Sequence, residues 1–273
     1  MSAHELDHVA FAVPAWGPAG EVLHRELGAR FVTGFSLPAF NPCQLALAED
    51  MRLELLEPGS SPASFIDRFL AGNGGNAAPH HITFKVQDIR AAIALAQDTG
   101  IDPILVNTEQ PLWREAFLHP KDTGLGFLVQ IVQTLEAPED ITEGNEFTAG
   151  CPWEEHPAPQ ARLPVVFGQV PDLRQAEHVL AGVLGAAVHP LPVTDGGAPA
   201  RVFRWPRGAD LILQEAADPA VPSGLQSLGF AAEGEIRAEP GHPALLDLLA
   251  GGSFHPELGI RLSSLCLAAT HPR

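Results

Sequence analysis

His4–Pro14 reads HELDHVAFAVP, with polar and apolar residues in alternation. That is the pattern of a half-buried strand, and Pro14 ends it. Residues 17–28 (GPAGEVLHRELG) then carry apolar residues at helical spacing and stop at Gly28, which fits a C-cap. Three strand-like runs follow: Arg30–Gly34, Cys43–Ala48 and Arg52–Glu57. The order is β-α-β-β-β. Residues 62–71 (PASFIDRFLA) read as a short amphipathic helix, and Gly72–Asn76 as a flexible loop. The same order then starts again. His80–Val86 (HHITFKV) is a strand, and Asp88–Gly100 is a helix with Asp88 as its N-cap. Ile104–Val106, Arg114–Leu118 and Gly126–Gln133 supply three more strands. The two modules make one domain, residues 1–135.

Residues 136–162 break the pattern. Pro138, Pro152, Pro157 and Pro159 stand among Asp and Glu without periodicity, which reads as an acidic linker wrapping the surface. Disorder is the competing reading. Then LPVVFGQVPD (163–172) mirrors LDHVAFAVPA (6–15), and Leu184-Gly185-Ala186 mirrors Leu27-Gly28-Ala29. Both matches hold the same offset of 157 residues, which points to a duplication. ADLILQE (209–215) mirrors MRLELLE (51–57), and SLGFAAEGEI (227–236) mirrors HHITFKVQDI (80–89) more weakly. Residues 240–250 read as a helix and 260–268 as a last strand, so the fourth module is abbreviated. The second domain is 163–273.

Composition narrows the function. The chain of 273 residues has 16 Lys plus Arg against 33 Asp plus Glu, a formal net charge of −17. A surface that acidic repels phosphate backbones and anionic lipid, so nucleic acid and membrane partners are not expected. There is no tyrosine, hence no phenol chemistry. The three cysteines, Cys43, Cys151 and Cys266, form no CxxC pair, which fits a reducing cytoplasm and offers no thiolate zinc site. The N-terminus shows no secretory pattern, and no apolar run is long enough to span a membrane. A cytoplasmic location is the expectation.

Four strand segments carry a polar residue in apolar surroundings: His8 in DHVAFAV, Glu54 in RLELLEP, His81 in HHITFKV and Gln130 in FLVQIVQ. A lone polar side chain in such a run is costly unless satisfied. Two imidazoles, a carboxylate and an amide oxygen suit a borderline divalent cation.

The β-α-β-β-β repeat, the HHI…V-x-D-I segment, the ELLEP strand and FLHPK-x-x-G together resemble the vicinal oxygen chelate superfamily. This superfamily includes glyoxalases, epimerases, extradiol dioxygenases and bleomycin resistance proteins. The resemblance is nearest to its methylmalonyl-CoA epimerase-like branch, over residues 4–133. It implies an α+β fold in which paired βαβββ modules form curved mixed sheets, here duplicated. It also implies one divalent metal ion (Zn, Ni, Co, Mn or Fe) on His8, Glu54, His81 and Gln130.

The resemblance further implies a lyase or isomerase acting on a small carbonyl, carboxylate or thioester. The branch places bases where this chain has Gln44 and Gln130. Neither amide can take a proton, so Glu54 is expected to be both ligand and base. Gln44, Trp113 and Arg114 are expected to meet the substrate. In the second half, His8 aligns with Val165, Glu54 with Ile212 and His81 with Leu228, so no second metal is expected there. A dioxygenase using the same pocket and a non-catalytic ligand-binding or resistance protein are the alternatives. A small-molecule substrate is the expected partner, and homodimerisation is left open.

Overall fold

The structure, a computed structural model, describes residues 4–62, 64–134, 147–192, 197–218, 223–232 and 238–267. The first module runs β1 (Glu5–Ala12), α1 (Trp16–Leu27), β2 (Arg30–Gly34), β3 (Phe40–Ala46) and β4 (Arg52–Pro58). After α2 (Phe65–Gly72) the second runs β5 (Ala78–Lys85), α3 (Ile89–Asp98), β6 (Ile104–Asn107), β7 (Arg114–Leu118), the short α4 (Pro120–Thr123) and β8 (Leu128–Gln133). The third comprises β9 (Arg162–Val170), α5 (Leu173–Leu180), β10 (Ala187–Leu191), β11 (Ala200–Arg204) and β12 (Asp210–Glu215). The fourth has β13 (Gly224–Ala231), α6 (Leu245–Ala250), β14 (Ser253–His255) and β15 (Ile260–Ser264). Among the described residues it therefore has one strand fewer than the others.

Each pair of modules makes one mixed sheet. The first is ordered β2-β3-β4-β1-β5-β8-β7-β6, and the second β10-β11-β12-β9-β13-β15-β14. In both, the first strands of the two modules run antiparallel at the centre, β1 beside β5 and β9 beside β13. The fold is the duplicated βαβββ arrangement expected from the sequence.

Local chemistry sets the element ends. Gly28 takes φ 61°, and its N–H caps α1 on the His24 carbonyl, a conformation that costs a residue with a Cβ much more. Asp88 caps α3 by accepting the Arg90 and Ala91 N–H groups, and Asp172 caps α5 in the same way. Strand β3 starts earlier than the sequence suggested and includes Pro42. The strand tolerates it because Pro42 supplies a carbonyl, which accepts from Phe35 N–H at 3.0 Å.

One face of the first sheet is apolar. Val9, Phe11, Leu53, Leu55, Ile82 and Phe84 are all buried there. They join a core that continues into the second half, where the Phe84 and Trp205 rings lie 4.6 Å apart. No helix among the described residues is long and apolar enough to cross a membrane.

Residue 135 at the end of the first domain and residues 136–146 of the expected linker lie outside the described residues, as do 233–236 of the weak fourth-module match and 268 at the end of the last strand. Residues 147–161 follow the edge of the first sheet. Ala149 N–H donates to the Gly34 carbonyl and Ala161 N–H to that of Leu27, both at 2.8 Å. Glu155 accepts the Phe31 N–H at 2.6 Å. Trp153 lies over Gly20, where a Cβ would collide with its ring.

The second sheet fills its own equivalent face. Val165, Phe167 and Ile212 pack against Leu245 and Leu249 of α6 and against Leu265. Replacing Leu249 with Ala should destabilise the protein by ~2–5 kcal/mol, the usual range for a buried leucine. Urea titration checks this. Divalent-metal binding should be unchanged, because α6 belongs to the other half.

Candidate metal centre

Several strands of the first sheet bring polar side chains to one level. Ala10 in β1 lies opposite both Glu54 in β4 and His81 in β5. His8 lies opposite Thr83, and Thr83 opposite Gln130 in β8. Gln44 in β3 lies opposite Glu54. Side chains alternate along a strand, so these six polar residues leave the sheet on the same face.

The β1–β5 ladder slips twice, once at Asp7 and once at His80. A bulge re-aims the side chain of its extra residue. Asp7 thereby reaches His8, with Oδ2 2.7 Å from Nδ1, and His80 reaches His81, with their Nδ1 atoms 2.9 Å apart.

Glu54 Oε2 lies 3.6 Å from His8 Nε2 and 3.6 Å from His81 Nε2. The three candidate ligand atoms fall within 4.8 Å of one another. His81 Nε2 is buried and has no hydrogen-bond partner. A buried nitrogen left open beside a carboxylate is what a cation site supplies, and two imidazoles with one carboxylate suit a divalent transition metal. The residues present fit such an ion.

A second carboxylate stands beside the cluster. Glu115 Oε2 accepts from Gln130 Nε2 at 2.7 Å and from Trp113 Nε1 at 3.1 Å. Gln130 Oε1 accepts from the Thr83 hydroxyl at 2.6 Å, so both ends of its amide are engaged. Gln44 Nε2 donates to Glu54 Oε1 at 3.3 Å. Phe117 in β7 packs its ring against His81, centroids 5.7 Å apart.

Residues 7–117 match the model of the Glyoxalase/Bleomycin resistance protein/Dioxygenase superfamily. The first half of the chain carries a domain of this superfamily. Among solved structures, the methylmalonyl-CoA epimerase of Mycobacterium tuberculosis is 26% identical over 50% of this chain and 91% of its own, with TM-score 0.43. That of Streptomyces coelicolor is 26% identical over 50% of this chain and 100% of its own, also with TM-score 0.43. A mutant 4-hydroxymandelate synthase from Streptomyces coelicolor is 15% identical over 85% of this chain and 71% of its own, with TM-score 0.56. The synthase likeness shows that the fold extends over both halves. No curated protein matches the chain in sequence.

The superfamily domain thus brings His8, Glu54 and His81 together, with Gln130 adjoining. Gln44 touches Glu54, and Trp113 reaches the site through Glu115. Arg114 departs from expectation. It alternates with Glu115 in β7, on the face that carries Ala116 into the core, and its charge acts on Glu109. Sequence reading missed Asp7, Thr83 and Glu115. Alternation with Phe117 was the available signal for Glu115.

The register also corrects one alignment. Phe167, the counterpart of Ala10, faces Ser227 rather than Leu228. Val165, Ile212, Ser227 and Ser263 therefore occupy the four ligand-equivalent positions of the second half. Ser227 and Ser263 join hydroxyl to hydroxyl at 2.6 Å.

Electrostatics divides the two histidines. Burial opposes charge on His8, but the hydrogen bonds and charges of Asp7 and Glu54 outweigh it and raise its pKa to about 9. Burial, with His80 and His8 nearby, pushes His81 well below the ordinary value. Burial also lowers His80, to about 4. Burial raises Glu115, aided by the Glu54 charge and opposed by the Trp113 and Gln130 hydrogen bonds.

The signs follow by linkage. Above pH 6.5 the native metal-free protein keeps the His8 proton that the unfolded chain has lost. His8 therefore stabilises fully below 6.5, and this contribution fades as pH rises to about 9. Between about 4 and 6.5 the unfolded chain binds the extra proton at His80, so stability falls as pH falls. Denaturant midpoints of metal-free protein should decline on both sides of pH 6.5. Asp7→Asn should flatten the upper limb.

Proposed function

We propose that the first half is a divalent-metal-dependent lyase or isomerase acting on a small carbonyl, carboxylate or thioester substrate. The observation that carries this reading is the His8–Glu54–His81 cluster with a second carboxylate, Glu115, beside it and outside it. When bound, the ion supplies Lewis-acid stabilisation of negative charge on a substrate oxygen. His8 and His81 would hold it through Nε2, and Glu54 through Oε2. Gln44 steadies Glu54 by donating to Oε1.

On the resemblance alone, Glu54 is expected to be both ligand and base. Its position between two imidazoles supports the first. The proton-accepting role is assigned to the carboxylate of Glu115, which Gln130 and Trp113 orient. Phe117 and Trp113 would exclude water from one side of the substrate. This division keeps the ligand charge fixed while a proton moves.

A dioxygenase is the second reading, and one observation favours it. Two histidines and one carboxylate with open positions are also a non-haem iron arrangement. Iron content together with oxygen uptake on candidate substrates separates the two.

Elemental analysis of protein purified without a His tag should find about one divalent ion per chain, the order expected for one such site. Two ions at full occupancy would contradict the assignment of all ligands to the first half. His81→Ala should lose most of the metal, and unchanged occupancy would remove His81 from the ligand set.

With a substrate in hand, Glu115→Gln should retain metal and reduce turnover by ~10²–10⁴-fold, the usual share of a general base. Glu54→Gln should instead weaken metal binding. Epimerisation of methylmalonyl-CoA should be weak or absent, because Gln44 and Gln130 stand where the resembled branch has bases. Turnover at an efficient enzyme's rate would refute that expectation.

A further inference from the structure

Two bulges interrupt the central ladder of the first sheet, and each falls on the residue before a candidate ligand histidine. Asp7 precedes His8, and His80 precedes His81. Without the bulges, alternation would send Asp7 and His80 to the apolar face. With them, each side chain meets the Nδ1 of the histidine that follows, at 2.7 Å for Asp7 and 2.9 Å for His80. The sheet gives up regular pairing at two places, and both places serve the same kind of contact.

We propose that Asp7 and His80 are a pair of positioning residues. Each accepts a hydrogen bond from the Nδ1 of its neighbour and so holds the ring with Nε2 toward the Glu54 carboxylate, where a bound ion would replace any proton on that nitrogen. An ionised carboxylate can only accept, so His8 must carry a proton on Nδ1. Two Nδ1 atoms at 2.9 Å need one proton between them. If His80 held it, His81 would turn an N–H toward Glu54. If His81 holds it, Nε2 presents a lone pair, the form that a bound ion needs.

His80 is itself held in place. Its ring packs edge-on against Phe69 of α2, centroids 4.8 Å apart, and against Phe65 at 6.0 Å. Groups that hold the second nitrogen of a ligand histidine fix its tautomer and orientation. The inference rests on the metal-binding reading above.

The test is Co²⁺ titration, followed by calorimetry and by the visible d–d spectrum. It compares unchanged protein with Asp7→Ala, Asp7→Asn, His80→Phe and His80→Asn, with thermal melts of each metal-free variant. Asp7→Ala and His80→Phe should each weaken Co²⁺ binding ~10–100-fold and alter the spectrum. Asn at either position keeps an oxygen acceptor and should recover most of the affinity. A packing role for His80 predicts the reverse order, because Phe preserves the ring and Asn does not.

Binding by Asp7→Ala and His80→Phe as tight as that of unchanged protein, with the same spectrum, overturns the inference alone. Loss in only one of the two overturns the pairing. If unchanged protein binds no Co²⁺, the proposed function falls and the inference with it. Should His80→Phe fail to fold, the contrast between Asp7→Ala and Asp7→Asn decides for the first bulge. His80→Asn matching unchanged protein then supports the second, and its loss of binding overturns it.

Discussion

The antiparallel pairing of β1 with β5 is the constraint on which the rest of the first half depends. It joins two modules into one eight-stranded sheet and brings two histidines, 73 residues apart, to the same level. β4 and β8 then flank this pair in parallel, and each contributes one further polar side chain, Glu54 and Gln130. Register at the centre therefore fixes the geometry of the cluster. A slip of one residue would send every member to the opposite, apolar face. The burial of Val9, Phe11, Ile82 and Phe84 on that face is what makes such a slip costly.

The second half uses the same scaffold for another end. Its central pair, β9 and β13, keeps the antiparallel arrangement and even the bulged register. Yet the face equivalent to the site is filled by α6, and its polar remnants, Ser227 and Ser263, satisfy each other and the Leu249 carbonyl. Side chains from both sheets share one core, so this half supports the other through packing. The first half leaves the same face polar, with α2 covering only one end through Ile66 and Leu70.

Much of this was legible in the chain. Gly28, Asp88 and the alternation around His8 are local signals, and local chemistry decides those elements. The three clustered residues stood out because polar groups in apolar strands must be satisfied somewhere. The contacts of Asp7 and His80 with the two ligand histidines were not legible. A period-2 reading sends them to the wrong face, and hydrophobic pattern does not encode a bulge. The same blindness displaced the second-half alignment by one residue, from Ser227 to Leu228. Arg114 looked available because charge and position near the site are visible in sequence, whereas the face it takes is decided by the register of β7 with β8.

The two modules of the first half are related by a near two-fold that exchanges His8 with His81. Glu54 and Gln130 occupy exchanged positions as well, but one is an anion and the other an amide. A planar molecule bound at the axis would thus meet a frame that is symmetric in shape and lopsided in charge. The two faces of a trigonal carbon would no longer be equivalent to the protein. Side-chain differences between strands that the two-fold exchanges are enough to let the cleft distinguish the two faces of a flat, symmetric guest, without any rearrangement of the backbone.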